Sequence, residues 1–128
     1  MKQIRFSVVV AGFCFVTVAN AATTIPTSFQ GNWASNCEAT KNPQDTEAAM
    51  SIVRVDTTSV SYGEAQCTLV KASRTDASHT GGTFDCIGDG VGVGGKEALD
   101  LRLKSGKLRL IDGAGNIWQS TDELSRCM

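Results

Sequence analysis

Aromatic residues are scarce. Downstream of residue 21 they number five: Phe29, Trp33, Tyr62, Phe84 and Trp118. Five rings barely furnish a core, which argues against an aromatic platform for stacking sugars or bases. The interior is expected to be mostly aliphatic. Histidine is scarcer still, with His79 the only one, and no C-x-x-C pair occurs. A zinc ligand set is therefore lacking. There is no G-x-S-x-G elbow for a nucleophilic serine. Beyond residue 18 no stretch approaches the ~20 apolar residues of a membrane-spanning helix. Internal repeats are absent, and nothing marks a second domain.

The N-terminus has the order of a secretory signal peptide. Lys2 and Arg5 precede an apolar run from Phe6 to Val18, and Ala19-Asn20-Ala21 follows. The run has 13 residues, short for a transmembrane anchor. Phe13 before Cys14 does not fit the small residue that precedes a lipid-modified cysteine. Residues 1–21 are thus expected to be a cleaved signal peptide, and residues 22–128 one β domain that is periplasmic or secreted. Without Lys2 and Arg5, 10 basic residues face 13 acidic ones, a formal net charge of −3. That balance gives no general electrostatic reason to bind nucleic acid.

Four cysteines remain: Cys37, Cys67, Cys86 and Cys127. An even number in a short exported chain points to disulfides rather than metal ligation or a reactive thiol. Three connectivities are possible. The favoured one joins Cys67 to Cys86, in neighbouring strand candidates, and Cys37 to Cys127, tying the two ends of the domain.

The clearest local pattern runs from Ala98 to Asp112. Leucine falls at 99, 101 and 103, then at 108 and 110. Strict alternation is the period of a strand with one buried face. Ser105-Gly106 supplies a two-residue turn, with Gly106 free to take positive φ. This predicts a hairpin pairing Lys104 with Lys107, Leu103 with Leu108, Arg102 with Arg109 and Leu101 with Leu110. Every leucine is then buried except Leu99, facing Asp112 near the open end. Further strands are expected at 50–55, 58–62, 64–71, 83–87 and 116–121, with 72–82 a polar loop and one helical turn near Asn42-Pro43. Seven or eight short strands in an all-β chain predict a single small antiparallel barrel or sandwich tied by two disulfides.

Several stretches imitate chemical motifs. Gly90, Gly92 and Gly95 match G-x-G-x-x-G, but a phosphate site needs a helix after the glycines, and a strand pattern follows instead. Asp76, Ser78 and His79 are the residue types of a hydrolase triad, but neighbouring side chains diverge and cannot form its line. Asp112 to Asn116 lacks the distal glutamate of a calcium loop and reads as a turn. No catalytic set, metal site or cofactor is expected.

Two surfaces remain as candidates for partner binding. One is the polar stretch 72–82, where Arg74, Asp76 and His79 are placed to reach a partner. The other is the outer face of the hairpin, where Arg102, Lys104, Lys107 and Arg109 share one ribbon. Like charges directly opposite are mildly destabilising. The ribbon therefore either is balanced by nearby carboxylates or docks an anionic partner, such as the acidic cleft of an enzyme.

Gly31-x-Trp33 resembles the G-x-W motif that opens lipocalin-type barrels. There the tryptophan plugs one barrel end beneath an arginine from near the C-terminus, a role for which Arg126 is placed. Phe29, Gly31, Trp33, Cys37, Arg126 and Cys127 together resemble a set of small exported bacterial proteins of unknown function. That resemblance supports the Cys37–Cys127 pairing and implies no activity. The expectation is a non-enzymatic exported module that binds another protein, most concretely an inhibitor or immunity protein against a cell-wall-degrading or other toxic enzyme. The alternative is a lipocalin-like carrier of a small apolar ligand.

Overall fold

The computed structural model describes residues 24–41, 50–88, 95–115 and 121–128, with Gly12, Gln44 and Glu47 besides. The expected signal peptide (1–21), the core of the glycine run (89–94) and most of the strand expected at 116–121 lie outside the described residues.

Eight antiparallel strands make one sheet: β1 (Gly31–Ala34), β2 (Val53–Val55), β3 (Ser59–Tyr62), β4 (Ala65–Thr75), β5 (His79–Ile87), β6 (Gly95–Lys104), β7 (Lys107–Asp112) and β8 (Ser125–Cys127). Their order is β7-β6-β5-β4-β3-β2-β1-β8. Each strand from β1 to β7 thus pairs with its sequence neighbour, and β8 returns to the free side of β1. The two outer edges then meet. Leu108 and Leu124 exchange both backbone hydrogen bonds, at 2.9 and 2.8 Å. The sheet is a nearly closed barrel, which leaves little free edge for unwanted pairing.

Alternation explains the strands. β4 begins buried-exposed-buried-exposed-buried from Ala65, and Leu101, Leu108 and Leu110 point inward from β6 and β7. The hairpin has the expected register, from Lys104↔Lys107 to Leu99↔Asp112. Ser105 and Gly106 both take positive φ, at 51° and 75°, which matches the twist of a tight hairpin. One detail differs. Leu99 is buried, because β5 and the barrel core cover it, while Leu103 near the barrel mouth is only partly buried.

The stretch expected to be a loop at 72–82 is mostly strand. β4 and β5 stay paired out to Thr75↔Thr80, leaving only Asp76-Ala77-Ser78 as the turn. Register shifts between Leu69 and Lys71 and between Ala72 and Arg74 bend this long hairpin. The inward positions here are Thr80 and Gly82, too small to show hydrophobic alternation. A 3-10 turn, Ala39–Lys41, precedes Asn42-Pro43, and the helical turn expected from that pair lies mostly outside the described residues. β8, only three residues long, carries no period by which it could be anticipated.

The core is the chain's own apolar side chains. Ile25, Phe29, Trp33, Phe84, Leu101, Leu108 and Leu110 are all at most 2 % exposed. Full burial of such side chains contributes ~1.5–3 kcal/mol each. Both expected disulfides are present: Cys67–Cys86 across the directly paired strands β4 and β5, and Cys37–Cys127 beside β1 and β8. Their separations of 19 and 90 residues correspond, in a chain-entropy account, to about 3 and about 4.5 kcal/mol. Two such bonds fit an oxidising compartment. Among the described residues no helix is long and apolar enough to cross a membrane.

Candidate partner-binding site at one end of the barrel

Three turns and the N-terminal segment gather at one end. Ile25 N–H donates to Thr57 O, Ser28 Oγ to Ala77 O, and Leu103 N–H to Ser78 O. The β2–β3, β4–β5 and β6–β7 turns are therefore neighbours in space. The plug under them is built around Trp33. Its indole N–H donates to Phe29 O at 2.8 Å, and the Arg126 guanidinium lies over the ring, 4.4 Å from its centroid. Arg126 also donates to the carbonyls of Ser28 and Gln30. Gly31 has φ 130°, and a Cβ there would meet Arg126 Nη1 at 3.0 Å. Glycine, tryptophan and arginine thus form one structural unit.

The β4–β5 turn is stapled by Asp76. Its carboxylate accepts from the backbone N–H of Ser78 and His79, from the Ser78 hydroxyl and from Arg74 Nε at 2.9 Å. The Arg74 guanidinium first, then the His79 and Ser78 donors, hold its pKa down from 3.8 to about 2. Ser78 directs its hydroxyl to Asp76, while the ring of His79 faces Asp100, so the three do not form a nucleophile–base–orienter line.

Cross-strand register joins this turn to the cationic ribbon. His79 on β5 pairs with Arg102 on β6, and Arg102 pairs with Arg109 on β7. The turn and the ribbon thus form one surface. Asp100 sits between their members, with Oδ2 at 3.3 Å from His79 Nε2 and 3.6 Å from Arg102 Nη2. His79 Nε2 is enclosed and makes no aligned hydrogen bond, so its contact with Asp100 is one of proximity. Alternation along β6 sets Asp100 on the same face as Arg102, and register sets it beside the side-chain-free Gly81, within reach of His79.

The ribbon itself is unevenly balanced. Arg109 Nε donates to Asp122 at 2.7 Å, and Arg102 shares Asp100. Lys107 Nζ donates to the neutral hydroxyl of Ser125, and Lys104 has no ion-pair partner among the described residues. The four cations, with Ser105, Leu108 and Glu123, line an open cleft of about 430 Å³ on the outer surface. Glu123 has φ 51°, an uncommon backbone for a non-glycine residue. Asp122 and Glu123 reach the cleft only because the barrel closes Leu124 onto Leu108, so sequence spacing does not reveal them.

No family model matches the chain, and no curated protein or solved structure matches it. Fold and surface therefore define it as a disulfide-tied, eight-stranded antiparallel β domain with a cationic cleft at one end of a barrel-like sheet.

Proposed function

We propose that this chain is a non-enzymatic exported protein-binding domain. Its most concrete form is an inhibitor or immunity protein acting on a cell-wall-degrading or other toxic enzyme with an acidic surface. The observation that carries this reading is the union of the β4–β5 turn with the β6–β7 ribbon through His79↔Arg102. It presents Arg74, Arg102, Lys104, Lys107 and Arg109 from one end of a rigid barrel whose overall charge is negative. Charge concentrated against the net charge favours steered docking to an acidic partner. The signal-peptide pattern at residues 1–21 and the two disulfides support export to the periplasm or beyond. The interior, filled by Trp33, Phe29, Phe84 and the leucines, favours a protein-binding surface over the carrier of a small apolar ligand.

Native mass spectrometry of the mature protein, gently purified from its producing cells, tests this. A stable complex with a second protein, lost in a Lys104→Glu/Lys107→Glu variant that keeps its melting temperature, is the expected outcome. A bound mass of a few hundred daltons in place of a protein would instead identify a carrier.

A further inference from the structure

The cleft between the β6–β7 ribbon and Glu123 has properties that docking of an acidic protein does not require. Lys104 and Lys107 are direct cross-strand partners flanking the Ser105-Gly106 turn, and Arg102 and Arg109 are the next pair on the same face. Opposed like charges are destabilising. The chain neutralises the deeper pair with Asp100 and Asp122. Among the described residues it leaves the outer pair without an ion-pair carboxylate, Lys107 meeting the Ser125 hydroxyl. Both lysines line the same cleft, the Lys107 ammonium turned toward Ser125.

The surroundings also differ from a flat solvated face. The surface is concave, about 430 Å³, with buried Leu108 in its wall. Asp122 shows how an oxyanion lies against the ribbon, contacting Arg109 through Nε. Glu123 also lines the cleft, on a left-handed backbone.

We infer that this cleft is a binding site for a compact dianionic oxyanion, a phosphate-monoester or inorganic phosphate group, held by Lys104 and Lys107 with Arg102 behind them. A phosphate group places two charges on one tetrahedral centre and offers acceptors to several donors at once. A single carboxylate carries half that charge. The inference goes beyond the protein-binding reading and does not depend on it.

The test is titration of the disulfide-intact mature protein with inorganic phosphate at constant ionic strength and mildly alkaline pH, followed by backbone amide shifts. Saturable shifts confined to residues 102–109 and 121–125 are expected. Lys104→Gln/Lys107→Gln should weaken binding about tenfold or more, the scale of removing two close charges at a protein surface. Glu123→Gln should tighten it about threefold on the same grounds. A parallel arm uses phosphatidylcholine vesicles doped with phosphatidic acid. Lysine-dependent co-sedimentation identifies a lipid headgroup as the source, and lysine-dependent binding of phosphate alone identifies a soluble one. Equal shifts with chloride, shifts spread over Lys41, Lys71 and Lys96, or binding unchanged in the double lysine variant would overturn the site. None of these results bears on whether a protein partner is captured, so the two proposals fail separately.

Discussion

His79 on β5 and Arg102 on β6 are direct cross-strand partners, and one carboxylate, Asp100, serves both. It does so by lying across Gly81. A Cβ on Gly81 would meet Asp100 Oδ1 at 2.1 Å and the Leu99 carbonyl at 3.0 Å. A Cβ on Gly82, one residue on, would meet the Lys71 carbonyl at 2.1 Å and Ala72 Cα at 2.9 Å. The first obstacle is mainly a side chain that can move, and the second is backbone at a bulge. Gly81→Ala should therefore cost about 1–2 kcal/mol and Gly82→Ala about 3 or more. Urea unfolding measures both. Adding Asp100→Ala should recover part of the Gly81→Ala loss and none of the Gly82→Ala loss. Equal rescue of both would show that Asp100 is not the group in the way.

Arg126 is held by three interactions at once: the face of Trp33 and the carbonyls of Ser28 and Gln30. The guanidinium is planar and forked, whereas an ammonium is a point charge. Arg126→Ala should cost about 2 kcal/mol from lost charge-assisted hydrogen bonds and ring contact. Arg126→Lys should recover less than half of that. Thermal melts followed by tryptophan fluorescence read this unit directly. Full recovery with lysine would mean that charge alone matters there.

The parts of the fold that could be read from sequence are those where side-chain period and turn chemistry agree. The β6–β7 hairpin has five alternating leucines and a glycine turn, and its register is as expected. The end of the β4–β5 hairpin hides because its inward positions are Thr80 and Gly82, and the bulged approach of Lys71 and Ala72 leaves no room for a side chain at Gly82. β8 hides because three residues show no period, and what makes them a strand is pairing with β1. The candidate site divides in the same way. Arg102, Lys104, Lys107 and Arg109 follow from alternation within one hairpin. Asp100 shares that alternation, but its approach to His79 comes from β5 register, and Asp122 and Glu123 enter through barrel closure; register and closure are properties of the whole chain.

Asp76 gives a pH signature for the turn at the candidate surface. Its pKa is about 2 in the folded protein, chiefly because of Arg74. In the unfolded chain an aspartate titrates near 3.9, about the ordinary value. The folded value is the lower one. The contribution to turn order is therefore complete above the unfolded value and disappears as pH falls through about 2. Carboxyl carbon shifts of Asp76 should titrate near that point, and Arg74→Gln should move the midpoint up toward 3.8. A wild-type midpoint already at the ordinary value would mean that Arg74 does not hold the carboxylate in solution.

Among the described residues the barrel seam is the least paired junction of the sheet, and the Cys37–Cys127 bond ties down the strand beside it. β7 meets the C-terminal segment through the paired hydrogen bonds of Leu108 and Leu124, with one more from Leu110 N–H to Thr121 O at 3.3 Å. The C-terminal strand is otherwise held by only three residue pairs with β1. Cys37–Cys127 ties β8 to the chain just beyond β1, so its loss leaves β8 held by those pairs and the seam contacts without a covalent tie. Cys67–Cys86 lies deep between β4 and β5, which remain zipped along their whole length without it. Replacing Cys37 and Cys127 with serine should therefore speed exchange of the Leu108 and Leu124 amides before other amides respond. It should also cost about 4 kcal/mol in global stability. Replacing Cys67 and Cys86 with alanine should lower stability by about 3 kcal/mol while leaving the seam amides protected relative to the rest. Because Glu123 and Asp122 reach the cationic cleft only through that seam, the first variant should also disorder the cleft and the second should not. Seam amides that exchange with the global unfolding rate in both variants would show the barrel to be closed by its core rather than by its covalent tie.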